Sequence, residues 1–136
     1  MILQPLIVTF ALGLAADKEL EKLQGAWQVE KLVGRGKEIT GENARRISFE
    51  FEGNSLKRLV NGVDRKDPAT IKIDASQKPA QIDLMPAKQG DPTMLGIYAI
   101  DDDTLKWCFS SKKRPEKFES PEGSDATLII LKRVKK

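Results

Sequence analysis

Three consecutive carboxylates, Asp101, Asp102 and Asp103, stand a few residues before the single cysteine, Cys108, and its neighbour Trp107. Acids beside a thiol suggest either a metal site or an activated nucleophile. Calcium takes about six to eight oxygen ligands, and three adjacent side chains in a turn between two strands cannot converge on one ion. Aspartate does suit such a turn, because its side chain bonds nearby backbone and tolerates positive φ. The run is therefore read as a hairpin corner with Asp102 at positive φ, and no metal ligand is assigned. Cys108 has Lys106 two residues away on the same strand face, a cation that would lower a thiol pKa. No base is at hand to activate it, and free cysteines usually pack as small hydrophobes, so a packing role is expected. Ser110-Ser111-Lys112-Lys113 has the S-x-x-K spacing of a serine nucleophile beside lysine. That motif works at a helix start, whereas this one leaves a strand and meets Arg114-Pro115.

Composition narrows the chemistry further. The sequence has no histidine, which removes the commonest general base, the Ser/His and Cys/His pairs and all His-containing metal sites. One cysteine excludes an intramolecular disulfide. No catalytic residue and no cofactor is assigned, and the chain is read as a non-enzyme. Lys plus Arg number 23 against 20 Asp plus Glu, a net charge of +3 too small and dispersed for a nucleic-acid-binding face.

Binding is the chemistry that remains. Residues 110–125, "SSKKRPEKFESPEGSD", form a polar connection far longer than the usual four to six or so residues. It carries one aromatic, Phe118, and a cationic cluster at Lys112, Lys113 and Arg114. Such a loop is either a lid or binding element at a barrel mouth, or a solvated loop pinned by Phe118. Arg58 shares strand parity with Leu56 and Val60, so an inward Leu56 face would carry a charge into the interior. A buried arginine needs a partner, whether a ligand anion or an internal acid. The opposite parity, with Lys57 and Leu59 inward, fits the pattern equally. Arg58, Trp107, Arg114 and Phe118 are the candidate ligand-binding residues.

The elements that position these residues are mostly strands. With 136 residues, 32% charged and 40% hydrophobic, the chain makes one globular domain. Its opening, "MILQPLIVTFALGLAA", has no charged side chain and is too short for a membrane span of about 20 apolar residues. Gly13-Leu14-Ala15 offers small residues before a cut ahead of Ala16, so residues 1–15 read as an export signal and the domain as periplasmic or extracellular, with no transmembrane span. "DKELEKLQ", residues 17–24, is the one helical segment, with Leu20 and Leu23 three apart. Eight short runs follow, starting at Trp27, Arg46, Ser55, Thr70, Gln81, Leu95, Thr104 and Thr127, alternating or apolar and separated by glycine, proline and asparagine turns. Eight antiparallel strands must close or double up to hide their edges, and an up-and-down barrel does this most simply.

Both ends of the chain favour a barrel over a sandwich. Gly25-x-Trp27 opens the first strand and Leu131-Lys132-Arg133 ends the last, which resembles the lipocalin and wider calycin pattern. In more detail the chain resembles an uncharacterised lipocalin-like domain family abundant in planctomycete bacteria. The matching residues are Leu23-Gln24-Gly25-x-Trp27, Pro79-x-x-Ile82-Asp83-Leu84, Gly96-Ile97-Tyr98, Asp103-Thr104-Leu105-Lys106, Cys108-Phe109, Arg114-Pro115-x-x-Phe118 and Leu131-Lys132-Arg133. The chain departs from that family at Asp102, where a glycine between two acids is usual. The resemblance implies an all-β, eight-stranded antiparallel up-and-down barrel, lipocalin-like, with a short N-terminal helix. It also implies that Gly25, Trp27 and Arg133 form a structural signature in which the cation packs on the indole. It implies no activity.

Two functions fit. One is an exported binding protein holding a small apolar or anionic molecule in the barrel. The other is a side-chain-filled barrel serving as an interaction module of the cell envelope.

Overall fold

The computed structural model describes residues 18–64 and 68–135. The expected export segment, residues 1–15, lies outside them, as does Asp17, where the expected helix begins. A helical turn over residues 18–23 leads into β1 (Gly25–Gly34). Then come β2 (Lys37–Thr40), a five-residue helix (Gly41–Arg45), β3 (Ile47–Glu52), β4 (Ser55–Val60) and β5 (Val63–Asp64). The remainder is β6 (Ala69–Asp74), β7 (Ala80–Met85), β8 (Met94–Asp101), β9 (Thr104–Ser110) and β10 (Thr127–Arg133).

β1, β3, β4, β6, β7, β8, β9 and β10 pair antiparallel in chain order, and β10 returns to β1, closing an eight-stranded up-and-down barrel. All eight expected strands are present, along with two short ones, β2 and β5. Closure removes the unpaired edges that an open sheet of this size would expose. The seam is weakest between β4 and β6, which share two pairs, Ser55 with Thr70 and Leu56 with Ala69. Pro68, just before β6, has no N–H to give to a ladder. No helix among the described residues is long and apolar enough to cross a membrane.

The register assigns each strand a face. Directly opposed residues share a face, and the pairs Trp27–Phe49, Phe51–Leu56, Tyr98–Trp107 and Trp107–Ile129 join buried side chains across the ring. The core is thus the inward parity of each strand, with Trp27 and Trp107 as its largest fully buried members. Phe49 meets Trp107 edge-on at 5.5 Å between ring centroids, and Phe109 leans on it at 5.0 Å. Aromatic pairs favour such tilted arrangements over flat stacking.

One end of the barrel is closed. Gly25 adopts φ +104°, a left-handed backbone that favours glycine and turns the chain from the helix into β1. Trp27 and Arg133 face each other across the β1–β10 ladder, with the guanidinium 4.2 Å from the indole centroid. The sequence expectation for this pair holds. The Trp27 N–H donates to Leu23 O at 2.8 Å, while the guanidinium donates to Gln24 O at 2.9 Å and Lys22 O at 2.7 Å. One cation thereby ties the first strand, the last strand and the C-terminal end of the helix together. Lys132 points elsewhere and donates to Thr104 Oγ1.

Candidate functional site

The Asp101–Asp103 corner is a two-residue β8–β9 hairpin, with Asp101 opposite Thr104 and Asp102 at φ +55°. Asp103 is 2.7 Å from Lys135 Nζ and 3.5 Å from Arg133 Nε, and the hydrogen bond from Lys135 holds its carboxyl below the usual range. No cluster of His, Cys, Asp and Glu suited to a metal ion occurs among the described residues.

Cys108 lies on the outward face of β9 yet is fully buried, because the long connection folds back over it. Its thiol donates to Glu119 O at 3.4 Å, and burial pushes its pKa up, away from a reactive thiolate. Ser110 is buried and accepts from Lys112 N–H, whereas Lys113 is exposed; no bond joins Ser110 to Lys113 among the described residues. The S-x-x-K spacing has no catalytic geometry.

Residues 111–126 act as a strap on the outside of the barrel. Arg114 Nη1 donates to Asp83 Oδ1 at 2.7 Å, from the outward face of β7, and to Gly96 O at 2.8 Å. Ser120 Oγ donates to Ala126 O at 2.6 Å, and Glu122 packs against the β1–β2 turn at Gly36. Beneath the strap, Ile97 and Cys108 are as buried as the barrel interior. Arg114 and the half-buried Phe118 therefore stand outside the ring, apart from any interior ligand. A charged-residue connection can cover apolar surface in this way because each anchor pairs a backbone or ionic group while the chain passes over Ile97 and Cys108.

Arg58 and Trp107 are brought together. Arg58 is directly opposite Phe49, whose ring meets Trp107, so Leu56, Arg58 and Val60 form the inward set and the alternative with Lys57 inward is wrong. The guanidinium is nevertheless exposed and not buried as a charge deep in the barrel would be. It sits at the open end, and among the described residues no ion pair includes it. The inward positions around it are Leu32, Ile47, Val60, Leu84, Met94 and Phe109, and every one is partly exposed. One layer down, Phe49, Ile71, Ile82, Trp107 and Ile129 are closed to solvent. The Trp107 indole N–H has no hydrogen-bond partner among the described residues. Gly96 lies between Ile82 and Phe109 in this part of the ring, where an added Cβ would come within 2.9 Å of Ile82 O and 3.1 Å of Cys108 O. No side chain fits there, which lets Phe109 and Trp107 pack against the neighbouring strands.

Two clefts lie away from this mouth. One of about 600 Å³ at the closed end lies between the helix at Glu19 and Lys22 and the turn at Lys78 and Pro79. The Tyr98 hydroxyl on its floor donates to Glu19 Oε1 at 3.0 Å, and burial pushes the phenol pKa up. The other, of about 420 Å³, is within the strap, beside Lys112, Lys113 and Arg114. Neither the Tyr98–Glu19 bond nor the partial exposure of the mouth is visible in a strand pattern, and the inward parity of Arg58 was one of two faces that the pattern left open. No family model, no curated protein and no solved structure matches this chain.

Proposed function

We propose that this chain is an exported, non-catalytic binding module that takes a small ligand at the open end of its barrel. The observation that carries this reading is the partly exposed apolar lining around Arg58. The inward side chains Leu32, Ile47, Val60, Leu84, Met94 and Phe109 are partly exposed above the buried Trp107 layer, as Ile73, Ala80 and Ile100 are at the other end beside the helix. Burying partly exposed apolar surface is worth roughly 25 cal/mol per Å², so an apolar molecule capping this layer gains affinity from surface the protein alone leaves wet. Small-molecule sites combine such lining with a few placed polar groups, here Arg58. The uncharged opening segment supports export, and the lack of histidine and of a joined nucleophile and base supports a non-catalytic role.

A second reading has one observation in its favour. Trp107 is packed against Phe49, Phe51 and Phe109, so the layer beneath the mouth is filled, as suits a barrel that serves as an interaction module. Native mass spectrometry of the protein purified from its own host distinguishes the two. A retained small molecule, lost on Phe109→Asp at the mouth, is expected; a bare polypeptide that also ignores apolar probes would favour the filled module. The same spectrum reads the N-terminus, where a mass starting near Ala16 is expected and an intact Met1 counts against export.

A further inference from the structure

The outer wall of the barrel carries an apolar row of its own. Val33 faces Leu128 across the β1–β10 ladder, Leu128 faces Cys108 across β10–β9, and Cys108 faces Ile97 across β9–β8. All four share the outward parity and form one line over four strands. Val33 and Leu128 are partly exposed, whereas Ile97 and Cys108 are closed to solvent beneath the strap, residues 111–126. The strap is held quite differently from the wall under it. Neighbouring strands are joined by backbone ladders, but among the described residues no backbone–backbone hydrogen bond joins the strap to the barrel. Its own backbone bonds, from Glu119 N–H to Lys117 O and from Ser124 N–H to Pro121 O, are internal. So are the bonds from Ser120 Oγ to Ala126 O and from Ser124 Oγ to Pro121 O, and the Lys112–Asp125 ion pair at 3.3 Å across its base. Phe109 pairs with Thr127 where the strap leaves and rejoins the sheet, so the β9–β10 ladder is complete without it. A loop with close ends and its own internal bonds is a unit that can leave the wall while the ring stays whole.

We propose that the strap is a latch that opens as a unit on an intact barrel and uncovers Cys108 and Ile97, with Arg114 as its clasp. The inference does not depend on a ligand at the open end. Arg114 Nη1 donates to Asp83 Oδ1 at 2.7 Å and to Gly96 O at 2.8 Å, reaching β7 and β8 at once. These are the charge-assisted ties, and they are the strong ones. The Cys108 thiol donates to Glu119 O at 3.4 Å, but a thiol is a weak donor. Glu122 lies over Gly36, where an added Cβ would come within 3.0 Å of Glu122 Cα, so that contact is one of close approach. Breaking the two Arg114 bonds therefore removes most of the polar hold on the wall.

Cys108, the single cysteine, reports on the latch directly. In the full chain its thiolate attacks the disulfide of the neutral reagent 4,4′-dithiodipyridine, forming a mixed disulfide and releasing 4-thiopyridine, which is followed by absorbance. Wild type should label more slowly than the urea-unfolded chain. Its labelling rate should rise with urea on a slope well below that of global unfolding followed by tryptophan fluorescence, because opening exposes one loop and one outer row while the core stays closed. Arg114→Gln should speed labelling by roughly ten- to a hundredfold, the worth of a charge-assisted hydrogen bond. Asp83→Asn should act in the same direction by less, since the Gly96 carbonyl remains. Arg133→Ala should lower the global unfolding midpoint and leave labelling unchanged, because the open and closed forms of the latch lose the same closed-end bonds. A thiol that labels with the urea slope of global unfolding, and faster in Arg133→Ala, overturns the latch. So does a wild-type thiol that labels as fast as the unfolded chain, since the strap would then cover nothing. Labelling of Arg114→Gln at the wild-type rate overturns the clasp. The wild-type urea slope decides the matter even where a variant does not fold.

Discussion

The two ends of the barrel use the same pair of residue types in opposite ways. At the closed end Trp27 and Arg133 are in contact, and the indole N–H and the guanidinium both bond to backbone carbonyls of the helix. At the open end the Trp107 N–H is buried without a partner among the described residues, and Arg58 is exposed. The difference is the helix. Residues 18–23 bring a row of free carbonyls and two leucines over one end, and nothing comparable among the described residues covers the other. A helix end presents unsatisfied acceptors, so the cation that meets it becomes part of the scaffold. Arg58 meets no such acceptors among the described residues and stays exposed.

Trp27→Ala should be the most damaging single change, costing about 3 to 5 kcal/mol through the cavity it opens at a fully buried site. Arg133→Ala should cost less, about 1 to 3 kcal/mol, from lost charge-assisted bonds and the cation–π contact. The double mutant should fall short of the sum by about 0.5 kcal/mol or more in denaturant titrations, because the side chains touch. Strict additivity would mean that the closed end is not the unit described here.

The corresponding changes at the open end should be mild. Arg58→Ala should stay within about 0.5 kcal/mol of wild type, as exposed substitutions do. Trp107→Phe should change stability by less than about 1 kcal/mol, since removing an unpaired N–H returns part of its desolvation cost and offsets the lost packing. A loss above about 2 kcal/mol for either would show that the open end is as structural as the closed one.

Two smaller effects concern the corner of the closed end. Asp102→Gly should stabilise by a few tenths to about 1 kcal/mol by relieving the left-handed strain at φ +55°. A lower denaturation midpoint would contradict this, and calcium should leave Tm unchanged because no site gathers the three acids. Glu19, which bonds Lys22 and Tyr98, has its carboxyl pKa depressed chiefly by the Lys22 bond. A depressed folded-state pKa stabilises above the unfolded value and loses that contribution as pH falls through the folded one. Wild type should therefore lose more stability than Glu19→Gln on acidification below about pH 4.5, and equal pH profiles would detach Glu19 from the closed end.

Local pattern was enough for the strands. Every ring strand announces itself by alternation between Gly, Pro and Asn turns, because the side-chain period of two is a property of the extended backbone itself. The Trp27–Arg133 contact was also legible, since closing eight strands in order leaves the first and last as neighbours. β2 and the Gly41–Arg45 helix were not, as four exposed residues and a single helical turn have too little apolar periodicity to register. Parity left Arg58 with two possible faces, and only pairing with Phe49 chose between them.

What the sequence determined alone is the ring: strand number, order and closure follow from spacing, turns and the need to bury edges. Tertiary structure decided which parts of it are finished. Arg114 and Phe118 have the composition of a binding loop, yet Asp83 and the carbonyl of Gly96, distant in sequence, draw Arg114 and its connection onto the outer wall. Trp107 has the composition of a core residue, yet among the described residues no acceptor meets its buried indole N–H. Satisfaction of a polar group depends on every chain segment packed around it, and that sum exists only once the barrel has closed.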